Sequence, residues 1–257
     1  MIKPRILIFS GYGLNCEDET KYAFEKAGAL VDIIHINDII DRPSLLKNYQ
    51  IGAMPGGFSY GDDTGSGNAF AQKIKNHLAK EMQAFFSRDT LTIGMCNGFQ
   101  ILVGMGVFGP VALLPNSNAR YTTRWVDLKI DSNSPWLVDI SSISLPIAHG
   151  EGRFYAPKNQ PRRLPKGYQV ALTYVKGEIC TLQNLSANPN GSMENIAGIV
   201  NTSGKILGLM PHPERAVQFT QLPQWPNLKE HYLRKGKKLP TEAPGLQIFK
   251  NAVEYFS

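Results

Sequence analysis

Gly94-Met95-Cys96-Asn97-Gly98-Phe99-Gln100 sits between two apolar runs, Leu91-Thr92-Ile93 before it and Ile101-Leu102-Val103 after it. A Gly-x-Cys-x-Gly frame in that setting reads as strand, sharp turn and helix, the nucleophile-elbow pattern with cysteine in place of serine. Glycines at 94 and 98 let the turn pack tightly, so the Cys96 thiol projects and the Asn97 N–H points nearby. A strand feeding a helix in this way belongs to a parallel sheet, whose sites lie at the carboxyl ends of the strands.

The flanks extend the same alternation. Upstream, Arg5 to Phe9, Val31 to His35 and Ile51 to Met54 read as strands, with helices over Asn15 to Ala27 and about Asn68 to Phe86. Past Val111 the character changes. Trp125 to Ile130, Ser144 to Ala148, Gln169 to Tyr174, Ile196 to Val200 and Lys205 to Met210 read as strands separated by Gly/Pro/Asn turns. The tail from Ala216 is rich in Pro and Lys and closes with a helix over Gly245 to Tyr255. One α/β domain over residues 1–257 is expected, with a mixed, mostly parallel sheet, helices on both faces and a C-terminal extension from about 217.

Composition excludes several classes. Hydrophobic content of 42% and charged content of 19% are those of an ordinary globular protein. No apolar run approaches the ~20 residues of a membrane span, and Ile6-Leu7-Ile8-Phe9 reads as a buried strand, not a signal peptide. Cysteines at 16, 96 and 180 form neither a disulfide framework nor a Cys-x-x-Cys metal pair, so a reduced cytoplasm is the expected setting. The net charge of +6 concentrates at Arg234-Lys235-Gly236-Lys237-Lys238, with a lesser pair at Arg162-Arg163. Neither cluster interleaves with aromatics as a single-strand nucleic-acid groove would, so a solvated face or an acidic partner surface is preferred over nucleic acid.

A catalytic thiol needs help to ionise, and a helix start and an adjacent histidine both supply it. The second decisive segment is Pro211-His212-Pro213-Glu214. Its two prolines exclude a regular helix and hold the segment extended, so His212 and Glu214 can project to the same side. Glu214 would then orient one ring nitrogen while the other faces Cys96, which is triad logic recognised by role. A second oxyanion donor beside Asn97 is expected from Pro55-Gly56-Gly57-Phe58-Ser59, which follows a strand and opens at the same sheet edge.

Other motifs are weaker. Gly11-Tyr12-Gly13 begins a dinucleotide fingerprint, but Cys16 occupies the third glycine position. Gly61-Asp62-Asp63-Thr64-Gly65-Ser66-Gly67 lacks the Gly-Lys-Ser/Thr ending of a phosphate loop and carries two acids, so it reads as a flexible loop beside the site. His35, His77 and His231 have no partners at metal-ligand spacing, and no metal site is expected. His149 ends a strand among polar residues and glycines, open between a pocket lining and a hairpin turn.

Taken together, these residues resemble the class I (triad-type) glutamine amidotransferases. Among them they are most similar to the glutaminases serving phosphoribosylformylglycinamidine synthases of purine biosynthesis. The likeness runs collinearly over roughly residues 5–216. Its most specific strings are Phe58-Ser59-Tyr60-Gly61-Asp62, His149-Gly150-Glu151-Gly152-Arg153 and Asn188-Pro189-Asn190-Gly191-Ser192. The resemblance implies a flavodoxin-like fold, with Cys96 as nucleophile, His212 as proton carrier and Glu214 orienting it. It also implies glutamine bound around Gly57, Phe58, Asn97 and Gln100, with His149, Gly150 and Glu151 added to the substrate-binding set. It implies no cofactor in this chain, but a large synthetase subunit as partner, with a small third subunit left open. ATP and magnesium would sit on that synthetase, which amidates formylglycinamide ribonucleotide with the released ammonia. Two departures bear on the partner and its docking surface: the loop after Asp62 is closer to that of the long, fused enzymes, and the chain runs on past Glu214 through a basic, Pro-rich stretch. The alternatives are another flavodoxin-like cysteine hydrolase or peptidase, a glutaminase for a different synthetase, and a silent scaffold. Such hydrolases often carry histidine directly after the cysteine, where this chain has Asn97, and an intact Cys96, His212 and Glu214 argues against silence.

Overall fold

The computed structural model describes residues 3–62, 65–157 and 167–257. Asp63 and Thr64 of the acidic loop, and the basic pair Arg162-Arg163, lie outside the described residues. Strands β1 (Arg5–Ser10), β2 (Leu30–His35), β3 (Ile51–Met54) and β4 (Leu91–Met95) alternate with helices α1 (Glu17–Lys26), α2 (Ile36–Asp41) and α3 (Asn68–Ser87), and α4 (Asn97–Gly104) follows β4. Strands β5 (Ala112–Pro115), β6 (Thr122–Ile130), β7 (Ser142–His149), β8 (Glu151–Tyr155) and β9 (Tyr168–Val175) come next. They are followed by α5 (Glu178–Leu182), β10 (Ile196–Asn201), β11 (Ile206–Leu209), α6 (Trp225–Arg234) and α7 (Leu246–Glu254).

The main sheet has nine strands in the order β2-β1-β3-β4-β11-β10-β9-β6-β7. From β2 to β11 neighbours run parallel, and from β11 to β7 they alternate in direction. The burial of the strands explains the difference. All of β3, β4 and β11 is buried, as fits strands covered on both faces. By contrast, β7 alternates buried with less buried residues along its length, as a strand with one wet face does.

Two apolar clusters cover the two faces. One joins Ile6, Ile8, Phe24, Ile93, Trp136 and Phe249, and carries α1 and α7. The other joins Leu7, Phe9, Met54, Phe70, Phe99 and Leu102, and carries α2, α3 and α4. Because β1, β3, β4 and β11 are parallel, their carboxyl ends open at one sheet edge. β7, four antiparallel steps beyond β11, ends at that edge too. Five chain reversals are thereby brought together from sequence positions as far apart as 10 and 210.

Three local features differ from the sequence reading. The tail contains a helix, α6, with Pro226 in its first turn, where the missing N–H of proline leaves no helical bond unmade. Glu151–Tyr155, given no element in the sequence reading, is a strand that pairs with β5 in a separate two-stranded sheet, so of the two readings left open at His149 the hairpin turn with β7 is not the one formed. Residues 213–215 form a single 3-10 turn in place of an extended segment, since the fixed φ of Pro213 suits a helical first turn. Among the described residues, no helix is long and apolar enough to cross a membrane.

Candidate active site

Cys96 sits at the carboxyl end of β4 with φ 50° and ψ −106°, the bent backbone of an elbow. A non-glycine residue at positive φ is strained, and such strain concentrates at functional sites. The turn is held from both sides: the Cys96 N–H donates to the Leu209 carbonyl at 2.8 Å, and its own carbonyl accepts from Phe99 and Gln100 at 3.0 and 3.1 Å. Gly98 permits the close approach, because a Cβ there would collide with the Met54 carbonyl of β3. The thiol is 5% exposed and lies 3.6 Å from the Ala148 carbonyl of β7. As the first residue of α4, Asn97 has a backbone N–H with no acceptor inside the helix.

The neighbouring strand β11 delivers the base. His212 and Glu214 are 2% and 1% exposed, and Nδ1 lies 2.5 Å from Glu214 Oε1. With Nδ1 held there, Nε2 is buried without a hydrogen-bond partner. Burial alone would lower the affinity of His212 for a proton, but the charges of Glu214 and Cys96, with the sulfurs of Cys16 and Cys96 beside the ring, lift it well above the ordinary histidine value. The pairing of His212 with Glu214 expected from the sequence is present, made by the tight turn and not by an extended strand.

The remaining candidates divide by what their polar atoms already do. Asn97 is fully buried, and its side chain makes three hydrogen bonds: Oδ1 accepts from the Ser59 N–H at 3.1 Å, while Nδ2 donates to Gln100 Oε1 at 2.8 Å and Asp62 Oδ1 at 3.4 Å. Gln100 passes the connection on, its Nε2 donating to the Glu151 carbonyl at 2.6 Å. Glu151 in turn accepts the Ser66 N–H at Oε2, 3.2 Å away. These side chains fasten Ser59, Asp62 and Ser66 to the elbow and to β8. The Phe58 N–H donates to Gly13, at 2.9 Å, in the bridge that pairs Leu14 with Gly57, while its ring is exposed and 6.0 Å from that of Tyr121. Gly150 gives its carbonyl to the Asn116 N–H at 2.9 Å.

His149 is 2% exposed, with Nδ1 3.1 Å from Asn116 Oδ1 and Nε2 unpartnered. Asn116 Nδ2 donates to the His149 carbonyl, so the Asn116 oxygen is turned to accept and His149 Nδ1 carries the proton. Burial first, and the positive field of His212 second, bring its pKa down to about 4. It is therefore a neutral ring with a bare acceptor nitrogen inside the site.

Sequence reading did not include Cys16, Asn116, Tyr121 or Arg215 in the site. Cys16 stands in the loop after β1, and Arg215 Nη2 donates to its sulfur at 2.9 Å. Strand order would have found Cys16, since the β1 loop opens beside that of β3, but the order across a sheet is not written in a single sequence.

Residues 3–256 match the family of CobB/CobQ-like glutamine amidotransferase domains. The chain is 45% identical to the phosphoribosylformylglycinamidine synthase subunit PurQ of Methanococcus maripaludis strain C7, with 100% of each chain covered. It is 38% identical to the subunit of the same name from Dehalococcoides mccartyi, over 99% of this chain and 98% of that one. Among solved structures it is similar to a chain of PurLQS from Thermotoga maritima, with a TM-score of 0.74, 31% identity and 100% of both chains covered.

Proposed function

This chain belongs to the family of CobB/CobQ-like glutamine amidotransferase domains, and we infer from that membership that it is the glutaminase subunit of a phosphoribosylformylglycinamidine synthase. The observation that carries the chemistry is the strained Cys96 elbow beside a buried His212–Glu214 pair on the adjoining strand.

Cys96 Sγ attacks the side-chain amide carbon of glutamine, and the carbonyl oxygen takes the negative charge. The Asn97 N–H faces that oxyanion. The second donor is assigned to Gly57, because the Phe58 N–H is engaged with Gly13. His212, holding the thiol proton, delivers it to the departing ammonia as the tetrahedral adduct collapses to a thioester. Water then attacks the thioester, His212 accepts its proton, and glutamate leaves with Cys96 restored. Glu214 keeps the ring aligned throughout. The unpartnered Nε2 of His149 is a ready acceptor for an N–H group of the bound glutamine.

The partners are a large synthetase subunit and a small third subunit, as in the PurLQS assembly of the Thermotoga relative. ATP and magnesium belong on the synthetase, whose reaction amidates formylglycinamide ribonucleotide. Three free, buried cysteines support a reducing compartment, the cytoplasm.

The test uses the reconstituted synthase. Cys96→Ala is expected to abolish amidation driven by glutamine and to leave amidation driven by ammonia intact; loss of both, with assembly intact, would refute the assignment. His212→Ala is expected to lower glutaminase kcat by at least about 100-fold, and Glu214→Ala by less, because it orients the proton carrier and transfers nothing itself.

A further inference from the structure

A second sulfur stands against the proposed base. Cys16 is 1% exposed and stands at the N-cap position of α1, with its N–H donated to the Gly56 carbonyl at 3.1 Å. Its Sγ, a ring nitrogen of His212 and a carboxylate oxygen of Glu214 lie within 4.8 Å of one another. A Cβ placed on Gly56 would be 2.7 Å from His212 Cε1 and 3.1 Å from Cys16 Sγ, so ring edge and sulfur lie together over that glycine. Arg215, next after Glu214, closes the group with its 2.9 Å hydrogen bond to the sulfur.

We propose that Cys16, clamped by Arg215, is a positioning residue of the glutaminase reaction that holds the His212 ring in the orientation serving Cys96. The proposal rests on the glutaminase reading above. A ring fixed only through Nδ1 can still tilt about that bond, and a sulfur within 4.8 Å of a ring nitrogen limits that tilt. Positioning to a few tenths of an ångström matters because a donor displaced from its reacting atom loses rate steeply. Thiol, imidazole and carboxylate are also zinc donors, but a guanidinium on the sulfur sets a fixed positive charge where a cation would enter. With the carboxylate engaged at Nδ1 and the sulfur engaged by Arg215, the group is arranged to hold the ring and not a metal.

Several groups face His212. Glu214 and Arg215 come from its own turn, Cys96 from the elbow, Cys16 from the β1 loop, His149 from β7, and Tyr121 from the segment before β6. Cys16 is among those that favour the protonated ring. The ring must carry its proton when ammonia leaves, so activity falls on the alkaline side as that proton is lost. Removing a contact that favours the proton moves this alkaline limb to lower pH.

The experiment compares wild type, Cys16→Ala, Cys16→Ser and Arg215→Gln within the assembled synthase, reading glutaminase kcat and KM across pH, ammonia-driven amidation and thermal midpoint. Cys16→Ala is expected to lose about tenfold in kcat, with KM within about twofold and the alkaline limb about one pH unit lower. Cys16→Ser, which keeps a hydrogen-bonding atom, should recover part of both, and Arg215→Gln, which releases the sulfur from its clamp, should lose several-fold in kcat with KM within about twofold. A folded Cys16→Ala enzyme with an unmoved alkaline limb would overturn the proposal. If Cys16→Ala does not fold, a folded Arg215→Gln enzyme with wild-type kcat would overturn it. A wild-type assembly that amidates with ammonia but hydrolyses no glutamine would overturn the glutaminase reading itself, and is recognised before any variant is made.

Discussion

His149 and His212 are both buried in one site, yet the fold treats their protons oppositely. His212 gains a carboxylate and holds its proton more tightly than a free histidine. His149 has the neutral Asn116 as its partner, and burial brings it down to about 4. The sign for stability follows. Above about pH 6.5 the unfolded and folded forms of His149 are both neutral; below it the unfolded form takes up a proton that the folded form refuses until about pH 4. Stability is therefore fully present above that window and falls by up to about 3 kcal/mol as pH drops through it. His149→Gln, which cannot titrate, is expected to show a flatter loss of unfolding free energy in urea between about pH 6.5 and pH 4.5 than wild type. Parallel curves would mean that the wild-type ring is already protonated in the folded protein or escapes burial. Glu214 and Cys96 are untouched in this comparison, so their titration does not obscure the difference.

At the scale of elements, buried polar groups do the joining. Asp127 on β6 is 5% exposed, and its carboxylate accepts the Cys180 N–H at 2.8 Å, the Ile179 N–H at 3.3 Å and the Ser144 hydroxyl at 2.8 Å. Burial opposes its charge, but those hydrogen bonds prevail and hold its pKa below the usual carboxylate value. One side chain thus ties β6 to β7 and to the first turn of α5. Asp127→Ala would leave buried N–H groups without an acceptor and is expected to cost about 3 kcal/mol in urea unfolding, with KM for glutamine unchanged. A cost below about 1 kcal/mol would mean that water replaces the carboxylate. Strands β1, β3, β4 and β11 were legible from the sequence because both of their faces are buried, leaving apolar runs bounded by glycine or proline. The elbow was legible for a related reason: close packing admits only glycine at Gly98. Helix α6 was not, since Pro226 within a Lys-rich stretch reads as a coil unless the proline is placed in a first turn. Strand β8 was hidden because its partner, β5, lies 40 residues upstream, a pairing that local alternation cannot reveal.

Across the whole molecule the proposed site lies where five strands end, while much of the stability lies in the two layers behind them. That separation explains which site residues the sequence exposed. Cys96, His212 and Glu214 stand in short motifs whose chemistry is local, whereas Cys16 and Asn116 join only because β1 and β7 finish at the same edge as β4 and β11. It also sets an expectation for the core. Phe249 of α7 is fully buried and meets Phe24 of α1 edge-on, with centroids 4.9 Å apart, on the face of the sheet away from α4. Phe249→Ala should cost about 3–5 kcal/mol through the cavity it leaves, and at roughly 2–4 °C per kcal/mol should lower the thermal midpoint by about 6–20 °C. Well below that midpoint the glutaminase KM and the alkaline limb of its pH profile should stay at wild-type values. The link that could break this independence is visible: Gly245 precedes α7 at its N-cap, where a Cβ would lie 2.6 Å from the Ala216 carbonyl at the end of the His212–Glu214 turn. If Phe249→Ala moves the alkaline limb as well as the midpoint, α7 is bracing that turn, and the catalytic geometry depends on the core behind it. If only the midpoint moves, the sheet edge holds its five loops without help from the helical layer.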